Sequence, residues 1–498
     1  MKVLIANRGE IAVRIIRACR ELGFPTVSVY SEADRAALHA IAADEAVLIG
    51  PAPSRESYLR IDRIIEAARQ TGAEAVHPGY GFLAENAELA EACTAAGLIF
   101  IGPSAEAIRS MGSKTESRKR MKAAGVPIVP GLEEAVGSWE EVRDFASQSG
   151  YPVMLKATAG GGGKGMRQVE REEDLRAAFE RVQSEASSFF GDGSLYAEKV
   201  IASPRHIEVQ VLGDRHGNLV HLGERECTLQ RRHQKVVEEC PSPVVDEKLR
   251  AALGEAGVRA ARAVAYDSAG TVEFLMGPDR DFYFLEMNTR LQVEHPVTEE
   301  VYGVDLVKEQ IRSAMGEKLR LRQEDLVPRR HSIECRVYAE DPFQNFAPSP
   351  GHIRFLYLPQ GPGIRNDNGV YAGYDVPLHY DPMLSKLIAT GSNREEAIAR
   401  MRRALREYRV EGIETSIPFY SALLATPEFE RADFDTGFIE RFLAARGIDR
   451  IEPEIAEMAI AVAAILEFEA VQDVKLPEGG ASRWREVGRL EATGRKSR

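Results

Sequence analysis

The segment Tyr283-Phe284-Leu285-Glu286-Met287-Asn288-Thr289-Arg290-Leu291-Gln292-Val293-Glu294-His295-Pro296 places two carboxylates, an amide, an arginine and a glutamine within nine positions, directly after an apolar run. Such an ending makes a poor core and a good site. Glu286 and Asn288 are two apart, so on a strand their side chains share one face. Carboxylate and carbonyl oxygens are the hard ligands that Mg²⁺ takes, usually together with nucleotide phosphates. Upstream, Thr271-Val272-Glu273-Phe274-Leu275-Met276 alternates in the same way, ahead of the turn-forming Gly277-Pro278-Asp279-Arg280-Asp281. A four-residue hairpin loop at Pro278–Asp281 would set Glu273 directly across from Glu286. Two facing carboxylates repel, and a divalent cation between them is the simplest remedy. The competing reading is a solvated hairpin face, which Phe282, Phe284 and Leu285 argue against.

A second chemical signal is Lys156-Ala157-Thr158-Ala159-Gly160-Gly161-Gly162-Gly163-Lys164-Gly165-Met166, after the short strand-like run 151–155. Consecutive glycines let backbone N–H groups turn toward a phosphate without Cβ obstruction. The run is not a P-loop: Thr158 stands where the first glycine belongs, and Gly165 follows the lysine where Ser or Thr belongs. It reads as a flap closing over a triphosphate, with Lys156 at its base; the alternative is a linker. A third signal is the basic cluster Cys227-Thr228-Leu229-Gln230-Arg231-Arg232-His233-Gln234-Lys235. It suggests an anion site, or equally local ion pairing with the flanking Glu224, Glu226, Glu238 and Glu239.

These segments need a scaffold, and 498 residues are too many for one core. Val3–Ala6, Thr26–Tyr30, Ala75–His77 and Ile99–Ile101 read as short apolar strands, and Glu10–Leu22 as a helix with Ile11, Ile15, Ala18 and Leu22 on one face. That alternation predicts an open parallel α/β domain over 1–112, with a connecting helical stretch from Ser104 to Gly125. A lobe at about 131–204 carries the glycine flap, a strand-rich segment continues to 330, and a third region spans 331–446 with a helix at Arg394–Tyr408. Beyond it, 447–498 reads as an extension with an alanine-rich helix, Ile455–Phe468, and a disordered basic end. Composition is that of a globular protein, 44% hydrophobic and 28% charged. The net charge of −12 argues against a nucleic-acid binder. No apolar run approaches a membrane span, and no signal peptide is expected. The five cysteines, odd in number and without metal spacing, fit a reducing cytoplasm.

Taken together, Asn7-Arg8-Gly9-Glu10-Ile11-Ala12, His77-Pro78-Gly79-Tyr80-Gly81-Phe82-Leu83-Ala84-Glu85-Asn86, the tetraglycine flap, Gln230–Lys235 and Glu286–Pro296 resemble the biotin carboxylases, from Met1 to about residue 446. The resemblance implies mixed α/β and α+β architecture: an ATP-grasp domain at 113–330 with a mobile lid at about 131–204, preceded by the open α/β domain and followed by a mixed C-terminal domain. It implies ATP- and Mg²⁺- (or Mn²⁺-) dependent carboxylation of biotin by bicarbonate through carboxyphosphate, the first half-reaction of an acetyl-CoA, acyl-CoA or pyruvate carboxylase.

Residue by residue, the resemblance implies that Lys114, Lys156, Gly162, Gly163 and His233 meet the nucleotide and its phosphates. Glu198-Lys199-Val200-Ile201 would read the adenine edge, with His206 near the ribose and Gln230 beside it. Glu273, Glu286 and Asn288 would hold metal. Lys235, Arg290, Gln292 and the Val293 backbone would hold bicarbonate, with Glu294 the base that deprotonates it. Arg290 would also face the biotin ureido oxygen, and Arg336 carboxyphosphate or its phosphate product. The biotin-attachment pattern Ala-Met-Lys-Met is missing, so biotin is expected on a separate biotin carboxyl carrier protein. The further expected partner is a carboxyltransferase subunit, and the expected assembly is a homodimer. Another ATP-grasp ligase, or a catalytically silent relative, are the alternative readings. The extended tail favours an acyl-CoA or two-subunit pyruvate carboxylase over the shortest acetyl-CoA type.

Overall fold

The computed structural model describes residues 1–132, 134–158, 165–445, 458 and 461–465. A five-stranded, all-parallel sheet opens the chain. Its spatial order is Glu45–Gly50, Thr26–Ser31, Val3–Ile5, Ala75–His77, Ile99–Phe100. The central strand Val3–Ile5 is fully buried, as expected for a parallel sheet covered on both faces. The helix Gly9–Glu21 buries Ile11, Ile15, Ile16 and Cys19 against it. The strand Glu45–Gly50 and the helix Ile61–Thr71, which buries Ile64, Ile65, Ala67 and Ala68, complete this domain and were not among the expected elements. The connecting stretch resolves into two helices, Ala105–Gly112 and Lys114–Ala123, because Ser113 caps the second by accepting from the Glu116 N–H.

The flap lobe has its own three-stranded antiparallel sheet, Met166–Val169, Val153–Ala157 and Leu195–Lys199. The helices Trp139–Ser149 and Glu172–Phe190 pack on it around a separate apolar core.

The site rests on a larger, eight-stranded antiparallel sheet. Its order is Phe282–Asn288, Ala269–Met276, Arg205–Gly213, Leu219–Arg231, Gln234–Cys240, His331–Tyr338, Met383–Gly391, Ile364–Asn368. The strands at 331–338, 364–368 and 383–391 therefore share one sheet with the carboxylate hairpin. The parallel domain is fastened to this sheet at Gly369, where a Cβ would stand 2.6 Å from the Glu10 nitrogen; only glycine allows that approach.

Two hairpins set the register of the functional side chains. In the first, Met276 pairs with Phe282 and the Gly277 N–H donates to the Asp281 carbonyl at 2.9 Å. The loop is thus Pro278–Arg280, three residues instead of the expected four, with Arg280 left-handed at φ +66°. A bulge between Phe284 and Glu286 takes up the difference, so Glu273 still faces Glu286. In the second, Arg231 pairs with Gln234 across a two-residue turn in which both Arg232 (φ +51°) and His233 (φ +64°) are left-handed. Non-glycine residues at both turn positions cost backbone strain, which the long paired strands on either side hold in place.

Asp449–Arg498 forms a separate unit. Within it Met458 and residues 461–465 are helical and exposed, on the expected helix; the basic end lies outside the described residues. Among the described residues no helix is long and apolar enough to cross a membrane.

Candidate active site

Lys235 occupies the centre of the sheet's functional face. Its ammonium donates to Glu273 Oε1 (2.8 Å), to Glu294 Oε1 (2.7 Å), to Glu208 and, at 3.4 Å, to Gln292. Glu208 comes from the strand Arg205–Gly213, Glu273 from the adjoining hairpin, and Gln292 and Glu294 from the loop entering the helix His295–Tyr302. Burial opposes the ammonium charge, but the three carboxylates outweigh it and hold Lys235 well above its ordinary range. Burial likewise opposes ionisation of Glu273 and Glu294. Lys235 and His206 hold the first well below the carboxylate range; Lys235, Arg336 and Arg225 hold the second low against Glu208. All three acids are therefore anionic at neutral pH, gathered around one amine.

Behind this layer sits Arg225, with no exposure at all. It donates to Glu208 (2.5 Å), Gln210 (2.7 Å), Thr298 (3.0 Å), Thr271 (3.0 Å) and Gln292 (3.3 Å). A buried guanidinium with every neighbour a hydrogen-bond acceptor is the requirement for holding such a charge. Arg336 enters from the next strands, bonding Glu294 Oε2 at 3.0 Å and Glu238 Oε1 at 2.7 Å. Arg290 lies at the mouth: its Nε donates to Glu85 at 3.0 Å and its Nη2 to Asn288 Oδ1 at 2.9 Å. Lys386 donates to the Val293 carbonyl at 2.9 Å and so fixes that peptide.

The residues expected on the nucleotide side assemble less completely. Lys156 and Arg118 both bond Glu198, Arg118 at 3.2 Å, and Arg118 also lies 5.7 Å over the Tyr196 ring. Glu198 is buried and Lys199 exposed on the same strand, with Val200 and Ile201 just past its end. His206 Nδ1 accepts from Gln230 Nε2 at 3.0 Å, and its Nε2 stands 3.1 Å from Glu273. Burial opposes its charge, yet Glu273 pushes it up to about 9. His233 is exposed at the strained hairpin tip. Lys114 starts a helix, but its side chain, together with Gly162 and Gly163, lies outside the described residues.

The four acids flanking the basic cluster pair elsewhere: Glu224 with Arg250, Glu226 with Arg205, Glu238 with Arg336, and Glu239 with His331 and Arg394. Local pairing therefore does not consume the cluster. Within it, Arg231 pairs with Glu340 and lies 3.8 Å over the Phe346 ring, whereas Lys235 faces the site. Glu208, Arg225, Glu238, Glu85, Arg118 and Lys386 were missed as site residues. Glu85 stood in a segment that carried the resemblance and Glu238 among the acids flanking the basic cluster; the other four had no signal beyond their charge.

A divalent cation suits the donor set of Glu273, exposed Glu286 and Asn288. Here Asn288 turns its amide nitrogen to Glu273 Oε1 (2.9 Å) and its oxygen to Arg290; a rotation of the amide would present oxygen instead. His206, Glu208 and Glu273 also bring ligand atoms within 4.8 Å of one another, with Lys235 as the cation that both carboxylates meet.

An antiparallel sheet bearing metal-type carboxylates, beside a small lobe bearing a glycine loop, defines an ATP-grasp enzyme. Family models match in the same order: "Biotin carboxylase, N-terminal domain" over residues 1–108, "Carbamoyl-phosphate synthase L chain, ATP binding domain" over 113–322, and "Biotin carboxylase C-terminal domain" over 334–441. The chain belongs to the biotin carboxylase family. It is 55% identical over 449 residues to a pyruvate carboxylase subunit of Methanothermobacter thermautotrophicus, covering 90% of this chain and 91% of that protein. It is 54% identical over 442 residues to biotin carboxylase 1 of Bacillus subtilis, covering 89% and 98%. Among solved structures, the biotin carboxylase–βγ-ATP complex from Campylobacter jejuni superposes with a TM-score of 0.85 at 48% identity, covering 88% of this chain and 98% of that one. The biotin carboxylase domain dimer of Hydrogenobacter thermophilus 2-oxoglutarate carboxylase, with MgADP, ADP and bicarbonate, also gives 0.85 at 48%, covering 91% and 99%.

Proposed function

We propose that this chain carboxylates biotin on a separate carrier protein, spending ATP to activate bicarbonate. One observation carries the reading: Lys235 bonds both Gln292 and Glu294, and Arg336 bonds the other oxygen of Glu294, next to the Glu273–Glu286 pair. Cationic and amide donors would hold a small oxyanion there, and an ionised carboxylate stands ready to take its proton. Bicarbonate fits in charge and in having a proton to lose.

Deprotonation by Glu294 raises the nucleophilicity of the bicarbonate oxygen that attacks the γ-phosphorus, giving carboxyphosphate and ADP. Lys156, Lys114 and the flap N–H groups of Gly162 and Gly163 neutralise the triphosphate, while His233 approaches it from the hairpin tip. Glu198, Lys199, Val200 and Ile201 take the base, with His206 and Gln230 toward the ribose. Glu273, Glu286 and Asn288 would hold Mg²⁺ or Mn²⁺. When bound, that ion supplies charge neutralisation between phosphate oxygens. Arg290, at the mouth, stabilises the enolate-like ureido oxygen of biotin, and Arg336 retains the released phosphate. Its partners are then a biotin carboxyl carrier protein and a carboxyltransferase subunit, with a second copy forming a homodimer.

The test is direct. The purified chain, a biotinylated carrier, ATP, Mg²⁺ and labelled bicarbonate should put acid-labile label on the carrier. Label appearing on this chain without any carrier overturns the reading. The biotinylated protein that co-purifies with it identifies the parent carboxylase.

A further inference from the structure

Glu238 lies behind the proposed base, on the far side of Arg336, and has no exposure. Glu238 Oε1 accepts from Arg336 Nε at 2.7 Å and Glu294 Oε2 accepts from its Nη2 at 3.0 Å, so one guanidinium links the two carboxylates. Glu238 also stands directly opposite Glu334 in the antiparallel pairing of Gln234–Cys240 with His331–Tyr338. Glu334 is buried completely as well. Glu238 Oε2 and both Glu334 oxygens are buried without a hydrogen-bond partner. Two opposed, desolvated carboxylates with orphaned oxygens do not both stay ionised.

The charges in reach confirm the imbalance. Glu238, Glu334 and Glu294, with Glu10 beyond them, have Arg336 and Lys386 as their cations, and Lys386 is shared with Asp367. Lys235 is divided among Glu208, Glu273 and Glu294, Arg225 is taken by Glu208, and Arg365 by Asp367 and Glu299. No cation bonds either Glu334 oxygen, so a proton meets the shortfall at the Glu238–Glu334 pair. Burial, with Arg336 opposing it and Glu294 adding to it, pushes Glu238 up to about 7; burial holds Glu334 well above its ordinary range.

We propose that Glu238 and Glu334 form a proton-holding pair of positioning residues that controls the base through Arg336. While the pair is fully protonated, Arg336 is free to pair with Glu294 and weakens it as a proton acceptor. When Glu238 gives its proton to solvent, its anion draws Arg336 away and Glu294 accepts the bicarbonate proton more readily. This inference rests on Glu294 being the base.

Bicarbonate-dependent ATP cleavage should therefore rise through neutral pH. Glu238→Gln should flatten that rise and leave the rate at its acid-side value. Glu334→Gln should move the rise to lower pH, because Glu238 loses the neighbour that resists its ionisation. A merely structural role would lower the rate at every pH without moving the profile. If both variants keep the wild-type profile, or lose activity uniformly, the inference falls; if Glu294→Gln keeps bicarbonate-dependent cleavage, the base assignment falls instead. Should either variant fail to fold, infrared titration of the protonated-carboxyl band decides. The band should ionise at lower pH in Glu294→Gln than in wild type, and an unmoved midpoint overturns the pair.

Discussion

Glu294 Oε1 accepts from the Lys235 ammonium at 2.7 Å, so the proposed base is held anionic by the same amine that would meet its substrate. An anion entering this pocket competes with Glu294 for Lys235, and the carboxylate becomes more basic as the anion binds. Glu294→Gln keeps the volume and removes the proton acceptor. Bicarbonate-dependent ATP cleavage should fall by about 10²–10⁴-fold, with ATP binding little changed. Stopped-assay ADP release with and without bicarbonate measures it, and a loss under tenfold refutes the role.

The facing acids of the hairpin give a second expectation. Glu286→Gln removes charge from an exposed metal-type donor without touching the core, so the fold should persist while turnover drops by orders of magnitude. Titrating Mg²⁺ should partly restore the rate at high concentration. Normal turnover at low Mg²⁺ excludes Glu286 as a ligand.

The pairing of these two acids was legible because alternation fixed which residues share a face, but the route to it was not. The loop is one residue shorter than expected and the bulge at 285 compensates, and neither leaves a mark in residue types. The short apolar strands of the parallel domain were legible for a simple reason: both their faces are buried. Arg225 and Glu208 were not. A charge at a strand position reads as outward-facing, and the sheet here is covered where they stand. Their partners Gln210, Thr271 and Thr298 lie on three separate segments that only the sheet order brings together.

Arg225 should accordingly matter for stability more than any exposed ion pair does. Arg225→Met fills the space but strands Glu208 Oε1 and the amide oxygen of Gln210 without their donor. The expected cost is about 3–5 kcal/mol, read as a lower denaturant midpoint, whereas Arg322→Met at an exposed pair should leave that midpoint almost unchanged.

Burial also makes the parallel domain sensitive to acid. His39 is fully buried, accepts from the Gly9 N–H at 3.4 Å and leaves Nε2 without a partner. Burial, against the pull of Asp34, lowers it to about 4 from 6.5. Its neutral form is the folded form, so its contribution is fully present above pH 6.5 and is lost as the pH falls toward 4, where the unfolded chain binds the extra proton. Urea unfolding should show stability declining across that window, and His39→Gln should make the decline shallower.

Arg290 couples the two large parts of the molecule, since Glu85 of the parallel domain bonds both its Nε and the Thr289 N–H, each at 3.0 Å. Its side chain is more exposed than that of Lys235, so a carrier-borne ureido ring would meet it first. Arg290→Ala should therefore reduce biotin carboxylation far more than bicarbonate-dependent ATP cleavage. Glu85→Gln keeps the arginine but loosens its aim, so it should reproduce the same imbalance in milder form. Assaying labelled carboxyl transfer to the carrier alongside ADP release separates the two activities. Equal losses in both assays for Arg290→Ala would place the arginine in the phosphate chemistry and not at biotin.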